Sequence, residues 1–257
     1  MNKLSVMAAR ARPLAIQLGV WAALLLVFLP LPALANIYIL ESTAAGIRAG
    51  VELAPGDRLA IPAGAWVRAV LPSGKTQTIK GPYDGDVAGL GQGQPANEGI
   101  LSWIREILRT GGATEATAGA TRSISPTPRT RPRFSWSEIP VGADGNVCIA
   151  KGAKLALLRT TTGRAEKVTV VDAAQGRRAE TEWAAGSDVA PWPADIAPRA
   201  GGVYDLFIQD RARRHITLNE LERLPEESEV LTELHRLGCK QQFDAFVRSK
   251  INSKGAS

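Results

Sequence analysis

The chain has 257 residues, a formal net charge of +6 and only two cysteines and two histidines. The length allows one or two domains, and the mild basic excess gives no reason to expect nucleic-acid binding. The two histidines are His215 and His235, and the H-E-x-x-H and G-x-S-x-G patterns are absent. We therefore predict no metal, no cofactor and no catalytic residue.

Residues 1–35 have the layout of a secretory signal peptide. Three cationic residues and no acid precede an apolar run from Val20 to Leu29, which leads into Ala33-Leu34-Ala35. We expect cleavage before Asn36, which would remove three Lys/Arg residues and lower the net charge from +6 to +3. The alternative is an uncleaved inner-membrane anchor, because Leu14–Ala35 approaches the roughly 20 apolar residues that span a bilayer.

Residues 36–110 are predicted to form a small β module followed by one helix. Short apolar or alternating runs are separated by Pro/Gly turns, which is typical of strands joined by tight connections. The runs are 37–40, 50–53, 57–61, 65–71 and 75–80. Ile100, Ile104 and Leu108 belong to an apolar stripe with helical spacing, which also contains Trp103 and Ile107, and Asn97 stands where a cap is expected.

Residues 111–135 contain almost no large apolar side chain and several Pro, Thr and Arg residues. This composition predicts a disordered linker between two modules.

A second β domain with C-terminal helices is predicted for residues 136–253. Its strands are expected at 147–149, 155–159, 168–172, 179–183 and 203–208, with the spacing of a small sandwich or barrel. Three helical pieces should follow: one after the T-x-x-E capping box at Thr217, one over Val230–Leu237 and one over Phe243–Ile251. The predicted fold class is thus mainly β with C-terminal helices (α+β), built from two small β modules and a flexible linker.

Cys148 and Cys239 are the two cysteines, and an even count in an exported chain predicts one disulfide. Such a bridge would clamp the C-terminal helices to the second β domain, and by closing a long loop it would contribute about 4 kcal/mol. The alternative is redox chemistry at Cys239, which follows Gly238 at a predicted helix start. The chain has no C-x-x-C pair, which favours the structural bridge.

The stretch Ala69–Thr76 fits a permissive form of the phosphate-binding loop. That chemistry needs a helix after the loop, but Thr-Gln-Thr-Ile-Lys reaches Gly81-Pro82 within two turns. We therefore predict a hairpin here and no nucleotide binding. A hydrolase with paired carboxylates stays open as an alternative, and the acids available to it are Asp84, Asp86, Glu226, Glu227 and Glu229.

Trp192, Trp136 and Tyr83 are the candidate binding residues. Trp192 stands between two prolines, where a rigid loop is a poor place to bury an indole. Tryptophan faces stack on sugars, and with the arginines of the linker they suggest an anionic glycan of the cell wall or surface as an alternative ligand.

Residues 50–85 resemble the FecR-like modules of proteobacterial envelope proteins. The resemblance rests on Leu53–Leu59 (L-A-P-G-D-R-L), Ile61–Ala65 (I-P-A-G-A), Leu71–Lys75 (L-P-S-G-K) and Gly81–Tyr83 (G-P-Y). It implies a periplasmic β module that senses or binds another envelope protein and has no catalytic residues. The internal membrane helix and sigma-factor-binding part of the signalling members have no counterpart after residue 35.

Overall fold

A computed structural model describes residues 36–91, 94–111, 132–209 and 213–254 of the chain. The signal peptide predicted over residues 1–35 lies outside these ranges, and so do residues 112–131 of the linker predicted over 111–135. The described residues belong to one compact unit. Within them no helix is long and apolar enough to span a membrane.

The first part of the chain forms six strands, of which the first five match the predicted runs and the sixth, over Tyr83–Asp86, was not predicted. They are β1 (Ile37–Ser42), β2 (Glu52–Leu53), β3 (Arg58–Ile61), β4 (Trp66–Val70), β5 (Thr76–Lys80) and β6 (Tyr83–Asp86). An antiparallel sheet has the order β2-β1-β4-β5, and β3 pairs with β6 in a second, two-stranded sheet. A 3-10 turn over Val87–Gly91 follows.

Helix α1 (Glu98–Gly111) begins where the sequence predicts it. The side chain of Asn97 accepts a hydrogen bond from the Ile100 N–H at 3.2 Å, which caps the first turn. Three residues of the predicted apolar stripe, Ile100, Ile104 and Ile107, are buried.

The second β region is a sandwich of two sheets. Its strands are β7 (Glu138–Pro140), β8 (Gly145–Ala150), β9 (Ala156–Leu158), β10 (Glu166–Asp172), β11 (Arg178–Trp183), β12 (Val189–Pro191), β13 (Val203–Ile208) and β14 (Arg214–Leu221). The larger sheet has the order β11-β10-β13-β14-β8, and the smaller one β12-β9-β7. One buried apolar cluster contains side chains from both sheets, such as Val170, Leu206 and Leu157.

The helix predicted after Thr217 is wrong, because Thr217–Leu221 belongs to strand β14. Ile216, Leu218 and Leu221 are buried in it, and the strand pairs with β13 on one side and β8 on the other. The T-x-x-E pattern is a local signal, and two-sided pairing in the middle of a sheet overrides it.

Helices α2 (Val230–Arg236) and α3 (Lys240–Ile251) confirm the other two helical predictions. A 3-10 turn over Glu227–Glu229 precedes α2, and another over Asn252–Lys254 follows α3. The fold is therefore mainly β with C-terminal helices, as the sequence predicts.

The three helices share one apolar core with both β regions. Tyr38, Leu40 and Val70 contribute to it from the first region, and Cys148 and Leu221 from the second. This helical layer fixes the position of α3, which borders the cleft described next.

Candidate functional site

A cleft of about 780 Å³ lies between helices α1 and α3 and the loops of the second β region. It is larger than a second concavity, of about 550 Å³, beside Ser73 and Asn97 in the described part of the chain. On the helical side Trp103, Ile107 and Thr110 come from one face of α1, at spacings of four and three residues. Lys240, Gln241, Asp244, Ala245 and Arg248 come from one face of α3.

The walls of the cleft are largely apolar. Trp103 is partly buried and packs edge to face against Phe243, with ring centroids 5.2 Å apart. Leu158 and Pro140 line the opposite side. Apolar walls with a few placed polar groups are the usual composition of a ligand site.

Most charged groups at the cleft are already in ion pairs. Lys240 contacts Glu106 at 3.0 Å, and Arg248 contacts Asp244 at 2.9 Å. Arg133 contacts two carboxylates, those of Glu138 (2.9 Å) and Asp188 (2.6 Å). The hydrogen bond to Glu138 is the main reason why the pKa of Arg133 is raised above its usual value.

Arg159 contributes to the wall from inside the β region. Only 3% of its side chain is exposed, and it pairs with Glu166 at 3.2 Å. Its guanidinium also donates to the backbone carbonyl of Ser187 and lies 5.5 Å from the Trp183 ring centroid. A buried arginine satisfied in this way holds the loop at the cleft in place.

Helix α3 is fixed to the sandwich through two consecutive glutamines. The Gln242 side chain accepts a hydrogen bond from the Cys148 N–H at 2.6 Å and donates to the Cys148 carbonyl at 2.7 Å. Gln241 makes the same two contacts with Ala143, at 3.0 and 2.8 Å. Since β8 is the last strand of its sheet, the Gln242 amide occupies a position that a neighbouring strand would otherwise fill.

The predicted disulfide between Cys148 and Cys239 is confirmed. It joins β8 to the residue that precedes α3, and both cysteines are fully buried. The helix that borders the cleft is thus linked covalently to the β sandwich, whose smaller sheet contributes Pro140 and Leu158 to the opposite side.

The three candidate binding residues lie in three different places. Trp192 is partly buried, donates from Nε1 to the Ile196 carbonyl at 2.6 Å, and packs edge to face on Tyr204. Trp136 packs on Phe134 beside the helical core, and Tyr83 packs on the core of the first β region. None of the three lines the cleft.

The acids considered for a hydrolase are distributed over separate contacts. Asp84 forms an exposed pair with Arg58, and Asp86 accepts a hydrogen bond from the Ala88 N–H. Glu227 contacts Lys250 at 2.6 Å, and Glu229 contacts Lys75 at 2.7 Å. Glu226 is the residue before the 3-10 turn over Glu227–Glu229, and its side chain makes no capping bond. No group of three or more His, Cys, Asp or Glu side chains suited to a metal ion occurs among the described residues.

The stretch that fits a phosphate-binding loop is a hairpin, as predicted. Strand β4 ends at Val70, the turn has Gly74 at a φ of +88°, and β5 begins at Thr76.

Sequence reasoning missed the cleft as a site. It identified Trp103 and Ile107 only as part of a helical stripe, and it had no signal for Leu158 or Thr161 at the opposite wall. The pairing of a helix face with distant loops depends on the docking of α3, which local patterns do not encode.

No protein-family model matches the chain, and no curated protein matches it either.

Proposed function

We propose that the chain is an exported, non-catalytic protein-interaction or sensing module of the bacterial cell envelope, and that a protein partner binds in the cleft between α1, α3 and the second β region. The single observation that carries this proposal is the cleft itself. It has a volume of about 780 Å³ and apolar walls around Trp103 and Leu158. Such a concavity offers the desolvated pocket in which interface anchors bind.

The charged and amide side chains that line the cleft also support a binding role over a catalytic one. Lys240, Arg248 and Arg133 are held by carboxylates, and the Gln241 amide is committed to the backbone of Ala143. Groups held in this way shape a surface and orient a ligand.

Location in the periplasm is part of the proposal. The signal-peptide pattern of residues 1–35, the resemblance of residues 50–85 to FecR-like modules and the buried disulfide are all compatible with an oxidising envelope compartment.

The proposal is tested by affinity capture from envelope extracts with a variant that fills the cleft. Ala245 lies on the cleft face of α3, so Ala245→Trp should block the site, whereas Ser102→Trp adds the same group to an exposed position of α1 outside the cleft. We expect wild type and Ser102→Trp to capture the same protein and Ala245→Trp to lose it. Equal capture by all three chains would contradict the proposal.

A further inference from the structure

The charged side chains that line the cleft are balanced within the protein itself. They are the cations Arg133, Arg159, Lys240 and Arg248 and the carboxylates Glu106, Asp144 and Asp244. All four cations are in ion pairs, two of them with lining carboxylates and two with carboxylates outside the lining. Among the described residues, the lining therefore offers a ligand no unpaired cation.

Asp144 is the lining residue that has no ion-pair partner in the described part of the chain. It is exposed, and its side chain accepts a hydrogen bond from the His215 backbone N–H at 3.0 Å. Water hydrates and screens a carboxylate at such a position, so a cation gains little there. The lining thus holds no counter-charge that would repay the desolvation of a charged ligand group.

Two uncharged polar side chains at the cleft are also engaged within the protein. The Gln241 amide bonds both backbone groups of Ala143. The Thr110 hydroxyl donates to the Glu106 carbonyl at 2.9 Å and accepts from Arg248 at 3.1 Å. A ligand rich in hydroxyl groups, such as a glycan, would bury them against groups that already have partners, which costs free energy.

What the lining offers a ligand is apolar surface. Trp103, Ile107 and Phe243 contribute it from the helices, and Pro140 and Leu158 contribute it from the smaller sheet. Trp103 and Leu158 are only partly buried, so part of each side chain remains open to a ligand. Removing this surface from water is favourable in proportion to its area and requires no charge on the ligand.

We infer that the cleft binds an uncharged polypeptide segment of its partner, anchored by apolar side chains that pack on Trp103 and Leu158. A basic, acidic or carbohydrate ligand would instead bury charged or polar groups that find no free partner on the lining. The inference rests on the proposed function and adds the chemical class of the bound segment.

The test uses the protein as cells produce it from the full chain, and synthetic peptides that are blocked at both ends and carry the same uncharged fluorophore. The probe has the sequence QLQLQ, and the controls QSQSQ, QKQKQ and QEQEQ change only the two anchor positions. Affinity is measured by fluorescence anisotropy. We expect each control to bind at least about tenfold more weakly than QLQLQ, because the burial of two leucine side chains is lost. The affinity of QLQLQ should change by less than about twofold between about 0.05 M and about 0.5 M NaCl, since salt screens only charge interactions.

Variants locate the binding on the protein. Leu158→Ser removes apolar surface from the wall and should weaken QLQLQ about five- to twentyfold. Leu224→Ser is the matched control, since Leu224 is 46% exposed and lies outside the lining, and it should leave the affinity unchanged. Asp144→Asn should change the affinity for QLQLQ by less than about twofold. Ala245→Trp fills the cleft and should abolish binding, which locates the site even if Leu158→Ser does not fold.

The inference is overturned if any of the three control peptides binds as tightly as QLQLQ, if no peptide binds, or if Leu224→Ser weakens binding as much as Leu158→Ser. Capture of a partner that Ala245→Trp abolishes would still support the proposed function in each of these cases, so that the two failures are distinguishable.

Discussion

Gly74 shows how one residue serves both a turn and a packing contact. It closes the β4–β5 hairpin at a φ of +88°, and a Cβ atom at this position would collide with the Ile100 side chain of α1. The Pro72-Ser73-Gly74 sequence is enough to predict the turn. The contact with Ile100 could not be predicted, because it depends on where α1 docks.

We expect Gly74→Ala to lower the free energy of unfolding by about 3 kcal/mol, through a left-handed backbone (about 1–2 kcal/mol) and a tight core contact (about 1–3 kcal/mol). Gly64→Ala is the matched control, since Gly64 has a φ of +80° and open space around its Cβ position. It should lose only about 1 kcal/mol. Urea denaturation of both variants measures the difference, and equal losses would show that the contact with Ile100 costs nothing.

At the scale of elements, strands β14 and β8 and helix α3 depend on one another. The capping pattern at Thr217 predicts a helix, yet Thr217–Leu221 belongs to β14 because the sheet offers partners on both sides. Strand β8 is in turn the end of that sheet, and the Gln242 side chain satisfies the backbone of Cys148 there. Long-range pairing of this kind leaves no periodic signal in the sequence.

Gln242→Leu tests how much this contact stabilises the fold. Gln242 is 3% exposed, so leucine would fill a similar volume while leaving the Cys148 N–H and C=O buried without a partner. A loss of about 2–6 kcal/mol is expected, at about 1–3 kcal/mol for each of the two unsatisfied groups. Gln241→Leu should lose about 1 kcal/mol, since Ala143 is exposed and water can replace the amide. Thermal and urea denaturation measure the free energy of unfolding of both variants. Similar losses for Gln242→Leu and Gln241→Leu would mean that α3 is held mainly by packing.

At the scale of the whole molecule, an ionic network connects the first β region to the helical layer. Arg68 and Glu41 of the first region meet Glu227, in the turn before α2, and Lys250, in the last turn of α3. The hydrogen bond from Lys250, with a further contribution from Arg68, holds the pKa of Glu227 below its usual range. The stability that this network gives to the junction between the two regions therefore depends on pH.

The direction of this coupling follows from the lowered pKa. A carboxylate whose pKa is lower in the folded state stabilises the fold above its unfolded pKa of about 4.3, and the contribution is lost as the pH falls through the folded value. Glu227→Gln should therefore destabilise the protein at pH 7 and lose less stability than wild type between pH 5 and pH 3. Glu180→Gln, on the exposed strand β11, should follow the wild-type curve. Parallel curves for wild type and Glu227→Gln would contradict this role.

The sequence predicts the fold class, most strands and the disulfide, because turn residues, alternation and cysteine count are local or countable signals. It does not predict the cleft, because Trp103 and Leu158 come from distant segments that meet only when α3 docks on β8. The binding roles considered for Trp192, Trp136 and Tyr83 stay predictions.

Site-specific photo-crosslinking in living cells tests the central claim, that a protein partner binds in the cleft. A photoreactive residue at Ala245 faces the cleft, and the same residue at Ser102 lies on the exposed face of α1. The account predicts one discrete protein adduct from position 245 and none from position 102. No adduct from position 245, or the same adduct from both positions, would contradict it.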